Sequence, residues 1–137
     1  MNYTVSSLTT KADCQVLIDN ADLQKSELEF KRVTIGRQAE LAATNNADIT
    51  ADLAAVTAEL AALQTVFNAL PPGKTKDETQ NKITKAAYRK FQLQQRHEKS
   101  GALALIEKQY DEACNESALT EINLLTQQLT DRMAELP

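Results

Sequence analysis

Tryptophan is absent from this 137-residue sequence, and glycine and proline occur only three times each. A fold of many short strands needs turn residues at close intervals, and strands rich in β-branched and aromatic side chains. Aromatics make up 4 % of the residues, so the chain supplies neither in quantity. Histidine occurs once, as His97. That excludes a His-based metal pair and the H-E-x-x-H zinc motif. Gln94 also stands where a di-iron bundle would carry the glutamate of its Glu-x-x-His. Cys14 and Cys114 lie a hundred positions apart, without the short spacing of a metal or redox motif. Both read as reduced thiols packed as small apolar core residues.

Two further absences bear on location. The opening residues, MNYTVSSLTTKADCQ, hold neither a basic leader nor an apolar run, so no secretory signal is expected. No stretch is expected to approach the roughly 18 apolar residues of a membrane span. A net charge of −4 argues against a chain-wide polyanion partner. The expectation is a soluble cytoplasmic protein with no membrane partner.

What the chain does have is helix-forming residues. Hydrophobic residues make up 42 % and charged residues 25 %, which sets it apart from disordered chains. The abundance of Ala, Leu, Gln, Glu and Lys favours helix. The length fits one domain able to bury a core. Ile49, Leu53, Val56, Leu60, Leu63, Phe67 and Leu70 follow spacings of 4, 3, 4, 3, 4 and 3, the seam of a coiled coil or bundle helix. Upstream, Cys14, Leu17, Ala21, Leu28, Ile35, Ala39 and Ala42 share one side. Ala12, Val16, Leu23, Phe30 and Leu41 fall nearly opposite at about 100° per residue. A helix with two apolar faces touches more than one neighbour.

Cys14, Ala21, Leu28, Ile35, Ala42, Ile49, Val56, Leu63 and Leu70 recur at intervals of seven. The phase survives Thr44-Asn45-Asn46, so helices over about 8–44 and 47–70 are either joined or separated by a short connection. A single helix would span roughly 90 Å. After a turn at 71–74, helices are expected over about 75–99 and 102–136, with Ser100-Gly101 as the weak point between them. Ile83, Ala87 and Phe91 mark the expected inner face, continued by Leu103, Ile106, Tyr110 and Ala113. Leu119, Ile122, Leu129, Met133 and Leu136, with Thr126 among them, form a further stripe. Folding the chain at its prolines sets Asn45 at the level of residue 99, giving a polar waist. The expected fold is all-α: an antiparallel coiled-coil helical hairpin, either folded back into a four-helix bundle or dimerised into one.

One stretch resembles catalytic chemistry in its letters. Leu70-Pro71-Pro72-Gly73-Lys74-Thr75 ends like a phosphate-binding loop, G-x-x-x-x-G-K-[ST]. Asn68 occupies the place of the first glycine, however, and a heptad helix replaces the strand such a loop follows. A turn explains every letter. Leu70 ends a helix before proline, the prolines cannot extend it, and Gly73 takes a backbone shape costly to other residues. Thr75 and Glu78 then read as a capping box for the next helix.

No catalytic group, cofactor or metal is expected. Acidic pairs sit among cations on helix surfaces, for instance Glu27 four residues before Lys31. His97 reads as a solvated surface residue. Charge is uneven: residues 74–99 hold eight cations against three acids, and residues 102–137 two cations against seven acids. Lys82, Lys85, Arg89, Gln92, Arg96 and Lys99, at spacings of 3 and 4, make a basic ridge about 25 Å long. The expected function is a non-catalytic coiled-coil interaction or scaffold module. Its partner is a second copy or another helical protein, and its contact residues are Val16, Leu23 and Phe30. The alternative is nucleic-acid binding along Lys82, Lys85, Arg89, Arg96 and Lys99.

Overall fold

The structure, a computed structural model, describes residues 1–137. A single 3₁₀ turn, Val5–Ser7, precedes three helices: α1 (Lys11–Ala69), α2 (Lys74–Ser100) and α3 (Ala102–Glu135). There is no strand, so the all-helical class holds. The helix forecast over 8–44 begins later, at Lys11. Thr10 caps it: the Asp13 amide donates to Thr10 Oγ1 at 3.1 Å, and that hydroxyl donates to Asp13 Oδ2 at 2.6 Å. Thr44-Asn45-Asn46 does not interrupt α1, which is continuous over 59 residues. A seven-residue repeat of buried side chains on both sides of the asparagines favours continuity over their modest propensity.

By contacts the chain divides into two compact units, Met1–Ala39 with Lys108–Pro137, and Glu40–Glu107. In the second unit the core holds Val56, Ala86 and Leu93, with Leu53, Leu60 and Leu63 packed against it. Ile49 is also buried. Full burial of a large aliphatic side chain, as at Ile49 and Val56, contributes about 1.5–3 kcal/mol. The inner line of α2 is Thr79, Ile83, Ala86, Lys90, Leu93 and His97, all buried or half-buried. Ile83 is therefore placed as forecast, whereas Ala87 and Phe91 are exposed. A rule that follows only apolar letters misses a line running through a threonine and a lysine. His97 is half-buried on that line rather than solvated.

Between the helices of this unit, Leu70-Pro71-Pro72-Gly73 forms the connection. Gly73 has φ +155° and ψ −172°, a region other residues rarely adopt. Helix α2 begins at Lys74, so Thr75 lies inside it and the capping box is not made; the cap position carries no side-chain bond. The Asp77 amide donates to Gly73 O at 3.1 Å instead. Asn45 Nδ2 donates to the Ser100 carbonyl at 3.2 Å, one residue from the level forecast. Asn46 Oδ1 is buried there without a hydrogen-bond partner.

In the first unit the core draws Cys14, Ala21 and Ala39 from α1 and Asn115, Leu119, Ile122 and Leu129 from α3. Asn115 Nδ2 donates to the Leu28 carbonyl at 3.1 Å, and Arg32 pairs with Glu116 at 2.6 Å. The forecast stripe at the end of α3 is inward, with Thr126, Met133 and Leu136 half-buried. Leu103, Ile106, Tyr110 and Ala113 are exposed, against expectation. Cys114 is exposed too, being one residue off the inner line through Asn115. Leu17 is 40 % exposed, less enclosed than its neighbours on the seven-residue line.

The inner positions explain these misses. On α2 they run 79, 86 and 93, and from Gly101 into α3 they run 101, 108, 115, 122 and 129, all buried or half-buried. The interval from Leu93 to Gly101 is eight residues rather than seven. One residue of slip turns the outward face by about 100°. Gly101 is where the slip occurs, with φ −92° and ψ −108° between the two helices. A Cβ there would lie 2.7 Å from the His97 carbonyl and 3.1 Å from Asn46 Oδ1.

Within α1, an 18-residue window has mean hydropathy 1.2 and by length and composition is apolar enough to cross a membrane. That corrects the expectation that no stretch approaches such a composition. Alanines between the heptad leucines raise the mean without widening the apolar face.

Gly101→Ala is expected to lower stability by about 1–3 kcal/mol, the range for overpacking a tight site. Gly36 lies inside α1 with its nearest neighbour 3.9 Å from a new Cβ. Gly36→Ala should therefore stabilise by about 0.4–1 kcal/mol. Chemical denaturation of the two variants beside the parent checks both signs.

Candidate interaction surfaces

The forecast contact residues all face solvent. Val16, Leu23 and Phe30, on α1 in the first unit, are 58 %, 68 % and 76 % exposed. They lie at intervals of seven, so they line up along one side of the helix, about 10 Å apart. Val33 and Leu41 add exposed apolar surface to the same helix. Single apolar residues are ordinary on a surface, and these three stand in one aligned row.

Lys82, Lys85, Arg89, Arg96 and Lys99, on α2 in the second unit, are all exposed. None makes an ion pair within 4.0 Å; the ion pairs involve Met1, Arg32, Lys74, Lys108 and Arg132. Two other α2 cations are engaged, Lys74 with Glu78 at 4.0 Å and Lys76 over the Phe67 ring at 4.7 Å. The second unit balances eight cations against eight acids. Its α1 stretch carries Glu40, Asp48, Asp52 and Glu59 and no cation, which offsets the field of the ridge. The forecast pair Glu27–Lys31 is not among the ion pairs.

A third surface was not visible in the sequence. Residues 1–9 lie as a strap along the last turns of α3. Tyr3 N donates to Gln128 Oε1 at 3.1 Å, and the Tyr3 hydroxyl donates to Glu121 Oε1 at 2.6 Å. Arg132 donates to the Leu8 carbonyl at 3.0 and 3.2 Å, and to Ser6 O at 3.4 Å. Tyr3, Val5 and Leu8 of the strap line one cavity of about 220 Å³ together with Leu17, Leu125 and Leu129. The apolar letters at 3, 5 and 8 in a Ser/Thr-rich segment were the available signal, too short to carry a period. Each bond from Arg132 contributes on the order of 1 kcal/mol, so the strap is held far less firmly than the core.

Beside the strap a groove of about 440 Å³ opens along the first unit, with Leu28, Ala118, Ile122 and Leu125 on its floor and Glu27 and Lys31 at its rim. Tyr3 and Leu125 line both the groove and the strap's seat, so the two are continuous. On α3, a hydrogen bond with the exposed Cys114 thiol pushes the Tyr110 hydroxyl above its usual pKa. No group of His, Cys, Asp and Glu side chains is placed to hold a metal ion. Comparison with protein-family models, curated proteins and solved structures finds no match.

The hydrogen bond from Tyr3 holds the Glu121 carboxyl below its ordinary range, and the same bond pushes the Tyr3 hydroxyl up. A depressed carboxylate contributes stability above its unfolded pKa and loses it as pH falls through the folded one. Strap docking should accordingly weaken in acid. Tyr3→Phe is expected to return the Glu121 carboxyl toward its ordinary value, read by carbon-detected NMR titration, and to flatten that acid dependence.

Proposed function

We propose that the protein is a non-catalytic helical interaction module, an antiparallel coiled-coil hairpin that associates with a second copy or another helical protein. The carrying observation is the exposed row Val16, Leu23 and Phe30 on α1. Large apolar side chains one heptad apart on an exposed face match what a partner helix buries in a coiled coil or groove. The same reading takes the protein as cytoplasmic and cofactor-free.

Sedimentation equilibrium over a wide concentration range tests it. Mass should rise with concentration in the parent, and Phe30→Asp should weaken association at least tenfold while circular dichroism and thermal unfolding stay as they were. A parent that remains monomeric, with Phe30→Asp neutral for solubility and partner capture, counts against the proposal.

A second reading rests on the ridge, because its five cations are exposed and unpaired. It takes nucleic acid as the partner, with phosphates tracking Lys82 to Lys99. Fluorescence anisotropy with DNA and RNA at low salt should show binding that falls with salt and is lost in Lys85→Glu/Arg89→Glu. No binding at low salt removes this reading.

A further inference from the structure

The basic ridge of α2 is bordered by two exposed rings. Tyr88 is 62 % and Phe91 53 % exposed. At about 100° per residue, Tyr88 lies about 75° round the helix from the middle of the ridge, and Phe91 about 60° further in the same direction. The two positions differ by about 4.5 Å along the axis. Asn81 and Gln95, both exposed, lie on the same flank. No acid occurs from Thr79 to His97, so no carboxylate of α2 stands between the rings and the cations. Charge alone holds an anion weakly here. The second unit is neutral overall, and the acids of its α1 stretch weaken the field of the ridge without pairing with it. A ligand with flat faces beside its phosphates engages both halves of the surface. A duplex keeps its bases stacked on one another and offers only their edges. A single strand offers the faces.

We infer that the outer face of α2 binds single-stranded nucleic acid, with phosphates along Lys82, Lys85, Arg89, Arg96 and Lys99 and bases stacked on Tyr88 and Phe91. The inference rests on the nucleic-acid reading above and names the form of its ligand. Every group it uses lies on one helix of one unit. The amides of Asn81 and Gln95 bring donors and acceptors to base edges. Every base has a face to stack, so binding tolerates sequence. The two kinds of contact differ in their response to salt. Five phosphate contacts at a slope of about −0.7 each give a log–log salt slope of about −3.5, roughly a hundredfold loss between about 50 and 200 mM. Stacking on the rings releases no counterion and leaves that slope unchanged.

The test uses the full chain and labelled oligothymidylate, read by fluorescence anisotropy across a salt series. The competitors are its duplex with oligoadenylate and inorganic polyphosphate, an anion without bases. Oligothymidylate should bind at least about tenfold more tightly than either competitor. Tyr88→Ala/Phe91→Ala should weaken it at least about tenfold with the salt slope unchanged, whereas Tyr88→Phe/Phe91→Tyr should keep it. Lys85→Gln/Arg89→Gln should make the slope shallower by about 1.4. Circular dichroism of each variant checks that the helix is intact, and the preference of the parent among the three ligands needs no variant at all. A duplex or polyphosphate bound as tightly as the single strand overturns the inference and leaves the ridge as a track for phosphates. An intact Tyr88→Ala/Phe91→Ala that binds like the parent does the same. No binding of any of the three at low salt overturns the nucleic-acid reading together with the inference.

Discussion

The structure depends on a fixed repeat. Along α1 a buried or half-buried side chain recurs every seven residues, from Cys14 through Ile49 and Val56 to Leu63, and no residue in the 59 of the helix breaks the count. The returning helices must present their own inward residues in step. In the second unit α2 does so at Thr79, Ala86 and Leu93, and in the first α3 does so at Asn115, Ile122 and Leu129. Those two sets are out of phase by one residue. Continued without correction, the count from Leu93 would send Ser100, Glu107, Cys114, Glu121 and Gln128 inward, a line that buries charge for no gain. The break at Gly101 absorbs the difference. Its lack of a side chain lets the chain pass the His97 carbonyl and Asn46 where a Cβ has no room.

Much of the fold was legible in the sequence because heptad patterns and proline turns are local signals. The seam from Ile49 to Leu70, the turn at Pro71-Pro72-Gly73 and the inward Leu119, Ile122 and Leu129 all follow from them. The boundary near Ser100-Gly101 followed from glycine's poor helix propensity. The inner faces of the return arm did not, because the true line runs through Thr79, Lys90, His97, Lys108 and Asn115. Periodicity analysis assigns polar residues outward, and here the slip at Gly101 compounded the error. Leu103, Ile106 and Tyr110 were consequently assigned inward and are exposed. Val16, Leu23 and Phe30 and the five ridge cations lie on exposed helix faces. The strap was illegible because its contacts join residues more than a hundred positions apart, such as Tyr3 with Glu121.

Polar residues inside and apolar residues outside are two sides of one arrangement. Asn115 inside the first unit and Asn46 inside the second each weaken a layer that leucine would fill better, yet an asparagine at such a place penalises wrong alignments of the helices. Asn115 satisfies its amide on the Leu28 carbonyl, whereas Asn46 leaves an oxygen unpaired. Exposed apolar rows on the same helices carry the opposite cost, tolerated where a partner covers them. Alignment is thereby specified within the chain, while much of the large apolar surface remains available outside it.

The two thiols give the first unit an internal clock. Cys14 is sealed where α1 meets α3, and Cys114 is open on the surface of α3. A thiol reagent therefore meets one site at once and the other only when the helices part. The fast phase counts molecules, and the slow phase measures how often that seam opens. With no disulfide to reshuffle and no third cysteine to blur the record, the native chain reports its own breathing without a label being engineered into it.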